Sequence, residues 1–158
     1  MKKINYPALI ISILIAELTG VLSALLSGMM SGGGADYTEP PLSPPAIVFP
    51  IVWTLLYAAM GTAAYFVWDS ARGTAESRTR ALQFYVAQLF VNFLWSIIFF
   101  RFEAYWVSVA VIILLDILVI LTTLMFKKIN RLSYWLMIPY IIWLLIATYL
   151  NIGVAVLN

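Results

Sequence analysis

Five long apolar runs mark the chain, at 6–26, 46–68, 81–100, 105–126 and 134–157. Each is close to the roughly 20 helical residues that cross a hydrocarbon core. A bilayer interior offers no water to backbone groups, so each run predicts a helix that satisfies its own N–H and C=O groups. Short polar joints separate the runs, except at 27–45. That stretch passes from glycines 32–34 to Pro40, Pro41, Pro44 and Pro45, which predicts a loop that starts flexible and ends stiff. Long loops in compact units often act as lids. Here the 27–45 loop is expected to form one over the mouth of a pocket, with Pro44, Pro45 and Ile47 as lid residues. The pattern predicts an all-α bundle of five transmembrane helices forming one domain over 1–158.

Composition agrees with that class. The chain is 64% apolar and 10% charged, against about 25% charged in soluble domains, so it cannot cover a globule with ions. It has no Cys and no His. Disulfides are therefore excluded, as are Cys/His zinc sites and the usual strong axial ligands of haem iron. A net charge of +2 does not suggest nucleic acid as a partner, and the partner expected first is the lipid bilayer. The basic residues instead report topology. Lys2, Lys3, Arg72, Arg78, Arg80, Lys127, Lys128 and Arg131 fall on one side of the five spans, and Arg101 alone on the other. Basic excess marks the cytoplasmic side, so the N-terminus is expected inside, the C-terminus outside and the 27–45 loop facing outward. A cleavable signal peptide is the rival reading of 6–26. The length of the run and Glu17 within it weigh against cleavage.

Polar and aromatic side chains inside the spans locate the chemistry. Glu17 and Asp116 are intramembrane carboxyls, which are costly and should face the bundle interior. Each reads either as a ligand or proton group or as a protonated acid bonded to a neighbouring helix. Trp53 and Tyr57 share a face at i,i+4. The small residues from Ala58 to Ala64 suit close helix packing. Gln88, Asn92, Trp95 and Phe99 fall on one face of the third span, either as packing glue between helices or as a cavity wall. Trp143, Ala147 and Asn151 repeat every four residues in the fifth span, just beyond Pro139, which is expected to kink it. At about 1.5 Å rise per residue, these three groups reach one outer-half layer. That layer is an aromatic box with a few polar handles, suited to a flat ligand.

The segments PPLSPPAIVFPIVWTLLYAAMGTAAYFVW, AQLFVNFLWSIIFF and PYIIWLLIATYLN resemble the translocator protein family, also called the tryptophan-rich sensory protein or peripheral-type benzodiazepine receptor family. The likeness runs in order over most of the chain, from about Glu17 to Asn151. It implies a five-helix bundle, often a homodimer. It also implies a pocket, open toward the first long loop, for porphyrins, sterol-like lipids and benzodiazepine-type drugs. Bacterial members are linked with tetrapyrrole handling, including light-dependent breakdown of protoporphyrin IX. The pocket positions carry over onto Trp53, Asn92, Trp95, Trp143, Ala147 and Leu150, with Trp53 and Trp143 the pair tied to porphyrin chemistry. The chain departs from the family pattern in three places. Leu42 stands where many relatives carry a Trp before the Pro pair. No basic residue follows Asn151 to complete the sterol motif of animal members. Val111 holds the place of an Asp found in several relatives, with Asp116 five residues on.

The expectation is a membrane receptor or sensor, in a bacterial cell membrane, that binds protoporphyrin IX or other flat hydrophobic ligands. No cofactor is required; protoporphyrin IX or haem enters as ligand. The ligand-binding set is Trp53, Tyr57, Gln88, Asn92, Trp95, Trp143, Ala147, Leu150 and Asn151. Two alternatives remain at this level. One is a light-dependent porphyrin-degrading activity in which Trp53 and Trp143 act catalytically. The other is a porphyrin or sterol transporter. Arg101 is the expected neighbour of a porphyrin's propionates.

Overall fold

Side-chain caps mark where three of the five helices begin. The computed structural model describes residues 4–28 and 37–158, so Lys2, Lys3 and glycines 32–34 lie outside the described residues. Helix α1 spans Tyr6–Leu26, and Asn5 caps it by accepting from the Ala8 N–H. Helix α2 spans Val48–Trp68. It begins two residues later than the apolar run because Pro45 and Ala46 form the turn leading into it, their carbonyls accepting from the Val48 and Phe49 N–H groups. Helix α3 spans Ala75–Ser96, starting well before its apolar run. The Thr74 hydroxyl accepts from the Ser77 N–H, and Glu76 sits in the positively polarised first turn. A π-helical turn, Ile97–Arg101, continues α3. Helix α4 spans Tyr105–Ile129, with Lys127 and Lys128 in its last turn. Helix α5 spans Arg131–Leu157, and Asn130 caps it by accepting from the Leu132 and Ser133 N–H groups. Pro139 lies within α5 without interrupting it. No strand occurs among the described residues.

The helices close a ring in the order α1, α2, α5, α4, α3 and back to α1. Close approach is sharpest between α1 and α2. The Ser12 hydroxyl donates to the Gly61 carbonyl at 2.7 Å, and a Cβ on Gly61 would stand 2.6 Å from the Ile13 Cα. Only a glycine allows this backbone contact. Polar bonds tie the helices at one end: Asn5 N–H to Tyr65 Oη at 2.8 Å, Ser133 Oγ to the Ala63 carbonyl at 2.8 Å, and Ser70 Oγ to the Ile129 carbonyl at 3.3 Å. Segment 37–47 crosses the opposite end.

Large apolar side chains cover the outside, among them Ile10, Leu14, Leu18, Val86, Phe90, Ile113, Ile117 and Leu145. Such a surface suits lipid and would aggregate in water. All five helices are long and apolar enough to cross a membrane, and the molecule is an integral membrane protein. Helix α1 is the least enclosed, with Ala16 and Ser23 its only buried residues.

Candidate functional site

A cavity of about 570 Å³ opens between α1, α2, α3 and α5, beneath segment 37–47. This lies within the range of about 300–1,000 Å³ typical of small-molecule sites. Helix α2 contributes Phe49, Pro50, Trp53, Thr54 and Tyr57, one stripe at spacings of three and four. Helix α3 contributes Asn92, Trp95 and Ser96, and the π turn carries Phe99 and Phe100 to the rim. Helix α5 adds Trp143, Ala147, Leu150 and Val154. Helix α1 adds Glu17, Gly20, Val21, Ser23 and Ala24. Gly20 is needed there: a Cβ would collide with the Tyr57 ring.

Rings pack along these walls. Trp53 lies 5.6 Å from Tyr57 and 6.1 Å from Tyr140 by ring centroids. Phe49 meets Trp143 edge-on at 5.7 Å, and Trp95 stacks on Phe99 at 5.6 Å. Such contacts hold the indoles in fixed orientations.

Below the rings runs a buried chain of hydrogen bonds. Tyr57 Oη donates to Asn92 Oδ1 at 3.0 Å, and Asn92 Nδ2 donates to Tyr140 Oη at 2.7 Å. Tyr140 Oη donates to Gln88 Oε1 at 3.2 Å, and Gln88 Nε2 donates to the Met60 sulfur at 3.8 Å. This chain links α2, α3 and α5 and closes the cavity floor. Two buried polar atoms, Tyr85 Oη and Trp143 Nε1, have no hydrogen-bond partner among the described residues.

The structure brings Trp53, Tyr57, Asn92, Trp95, Trp143, Ala147 and Leu150 together on one cavity. Two other positions fall elsewhere. Gln88 is fully buried one turn below Asn92, because Tyr140 fills the space between it and the cavity. Asn151 lies behind the wall, accepting from Trp95 Nε1 and donating to Ser108 Oγ on α4, both at 2.8 Å. The helical face read from spacing is right, but each face extends past the cavity.

The residues expected to serve as lid also need correction, although the cover does lie largely within the 27–45 loop. Pro44, Pro45 and Ile47 do not line the cavity. They occupy the turn into α2, where Ile47 is 66% exposed. The cover comes from the preceding residues, Tyr37, Glu39, Pro40 and Ser43, together with Ala46. Pro40 is buried against Gly153, where a Cβ would stand 2.5 Å from the Pro40 Cβ. Further anchors are Tyr149 Oη donating to the Pro41 carbonyl at 2.9 Å and Thr38 N–H donating to Asn158 Oδ1 at 2.8 Å. Leu42 is 90% exposed at φ +67° and closes nothing.

The charged expectations sort likewise. Arg101 does not line the cavity; its guanidinium donates to the Leu26 carbonyl at the end of α1. Asp116 faces α5, where Thr148 Oγ1 donates to it at 2.9 Å, away from the cavity. Among the described residues no cluster of His, Cys, Asp or Glu could hold a metal ion. Spacing within single helices missed the α1 wall, although Glu17, Gly20 and Ala24 do recur on one helical stripe. It also missed the π turn, for which the sequence carries no signal.

Comparison with known proteins agrees with this arrangement. Residues 12–157 match the model of the TspO/MBR family. The chain is 38% identical over 124 residues to the tryptophan-rich protein TspO of Archaeoglobus fulgidus, covering 78% of each chain. It is 36% identical over 120 residues to the tryptophan-rich sensory protein of Cereibacter sphaeroides, covering 76% of this chain and 73% of that one. It is 32% identical over 117 residues to the human translocator protein, covering 74% of this chain and 69% of that one. With its five spans and its tryptophan-walled cavity, the chain belongs to the TspO/MBR family.

Proposed function

We propose that this protein is a membrane receptor or sensor that takes tetrapyrroles such as protoporphyrin IX, and other flat hydrophobic ligands, into its aromatic cavity. The observation that carries the reading is the meeting of Trp53, Trp95 and Trp143, from three helices, on a single cavity of about 570 Å³. Indole faces attract a flat ring by stacking and by burial of apolar area. Sterol-like lipids and benzodiazepine-type drugs share that flat apolar character. A metal-free porphyrin suits the walls better than haem, since the chain has no His or Cys to ligate iron. The names of two relatives, sensory protein and translocator protein, describe a signalling or carrier role for those proteins. The reading includes a homodimer and a cavity that faces outward, the latter supported by the basic residues at the opposite end of the bundle.

A second reading has its own support: Trp53 and Trp143, the pair expected to serve porphyrin photo-oxidation, stand on the same cavity. In that case the bound ring would absorb the light and the protein would position it.

The test is quenching of tryptophan fluorescence on titration with protoporphyrin IX, in the dark and then under light. Trp53→Phe and Trp143→Phe are compared with the unchanged protein. Saturable quenching that weakens in both variants is expected. Loss of porphyrin absorbance under light alone, reduced in the same variants, would select the photochemical reading. Absence of saturable quenching would overturn tetrapyrrole binding.

A further inference from the structure

Many donors on the cavity wall are spent within the protein, and its formal charges among the described residues are acidic. Six lining side chains spend a donor within the protein. Tyr57 donates to Asn92, Asn92 to Tyr140 and Trp95 to Asn151. Thr54 donates to the Pro50 carbonyl, Ser43 to that of Pro40 and Ser23 to that of Phe93. The Trp143 N–H is buried without a partner among the described residues, and the Tyr37 and Ser96 hydroxyls make no hydrogen bond with a described residue. No Lys or Arg lines the cavity among the described residues, and 29–36 contains none. Among the described residues the carboxyls on the wall are Glu17, in the middle of α1, and Glu39, at the mouth.

Glu17 is the more telling of the two. It lies on the inward stripe of α1 with Ala16 and Gly20, beside Tyr57. It makes no hydrogen bond or ion pair with a described residue. A carboxyl at that depth is costly and is found facing a partner or a cavity. Asp116, the other carboxyl in the middle of a span, is bonded to Thr148, and Gln88, Asn92 and Asn151 are buried and bonded. Glu17 instead faces the cavity with no hydrogen-bond partner among the described residues.

We infer that Glu17 is a ligand-binding residue, and that the cavity selects a flat apolar ring carrying an N–H donor, neutral or protonated, over the same ring carrying a carboxylate. The inference rests on the proposed reading of the cavity as a ligand site and specifies its chemistry. A ring stacked on the indoles brings its N–H to the Glu17 carboxyl, forming a charge-assisted bond in a low-dielectric setting. A carboxylate in the same place meets the Glu17 acid and no cation among the described residues, so its desolvation is not offset by an opposite charge. A porphyrin's propionates are accordingly held at the mouth and oppose binding there, next to Glu39.

The experiment uses two rings of one shape, 9-aminoacridine and acridine-9-carboxylate, titrated against the full-length protein in detergent and followed by tryptophan quenching. The amine is expected to bind about ten-fold more tightly or better. Glu17→Gln should remove most of that preference, and Glu17→Asp, which keeps the acid, should retain its direction. Comparing preferences between variants cancels the partition of each dye into detergent. Equal binding of the two dyes, or a preference that Glu17→Gln leaves intact, overturns the inference. So does a preference lost instead in Glu39→Gln. Protoporphyrin IX titrated in parallel separates the levels: if it saturates while the acridines show no preference, the cavity reading stands and the role of Glu17 falls. If no probe binds, both fall.

Discussion

The indole N–H of Trp95 donates to the amide oxygen of Asn151, and the Asn151 amide donates onward to Ser108, each at 2.8 Å. One buried asparagine thus joins α3, α5 and α4 behind the cavity. Asn151→Leu leaves the Trp95 donor unpaired in a buried site, at a cost of about 1–3 kcal/mol. Thermal unfolding in detergent should show that loss. Ser108→Ala removes the acceptor of the Asn151 amide and a local donor to the Tyr105 carbonyl but leaves the Trp95 bond in place, and should cost less.

Gly61 lies under the crossing of α1 and α2, with Ile13 and Ser12 backbone atoms where a side chain would go. Backbone cannot swing aside as a flexible side chain can. Gly61→Ala should therefore destabilise by about 1–3 kcal/mol through overpacking. Gly28→Ala is a useful contrast, since no atom of a described residue lies within 4 Å of an added Cβ and its cost arises from φ +82°. Crosslinking between α1 and α2 should fall in the first variant and stay unchanged in the second.

The cover over the cavity is tethered by bonds at the protein surface. Tyr149→Phe removes the donor to the Pro41 carbonyl, and Asn158→Ala removes the acceptor of the Thr38 N–H. Exposed bonds are weak, about 0.5–1.5 kcal/mol at most. Amide exchange at Thr38 should speed up modestly in Asn158→Ala. Ligand release should quicken in the double variant, with little change in unfolding temperature.

The Tyr37 phenol lies above the usual tyrosine range, chiefly because it is partly buried, with Glu39 and Tyr105 adding to the effect. Its ring packs on Phe99 and Tyr105. The folded protein holds this proton more tightly than the unfolded chain does. The stabilisation is thus complete below the unfolded value, about 10, and is lost as pH rises through the higher folded value. The tyrosinate absorbance missing from Tyr37→Phe should appear later in the titration than that of a free tyrosine. An earlier appearance would show the ring to be solvated.

Much of the bundle was legible because apolar run length and hydrogen-bond satisfaction in lipid leave few choices. The 6–26 run matches α1 at both ends. Bounds were missed where polar chemistry extends a helix past its apolar part, as Thr74 and Glu76 do for α3. For the site, Trp53, Trp95 and Trp143 could be grouped by depth alone. Gln88 and Asn151 could not be sorted from Asn92, because a shared face does not tell which level a neighbouring ring fills. Pro44 and Pro45 suggested a stiff cover, yet the same stiffness makes them the turn into α2. Glu17 drew notice as a charge in lipid, but its place on the cavity depends on α1 packing beside both α2 and α3.

The buried chain from Tyr57 through Asn92 and Tyr140 to Gln88 has a mechanical consequence. Its bonds all donate in the same sense and join three helices at one level. Sliding or rotating α2, α3 or α5 by a fraction of a turn would break several of them together. These helices act as a stiff frame. Helix α1, with two buried residues, shares none of those bonds. An occupant of the cavity therefore meets the least resistance at segment 37–47, since α1 is itself tied to α2 through Ser12 and Gly61 and to α3 through Ser23.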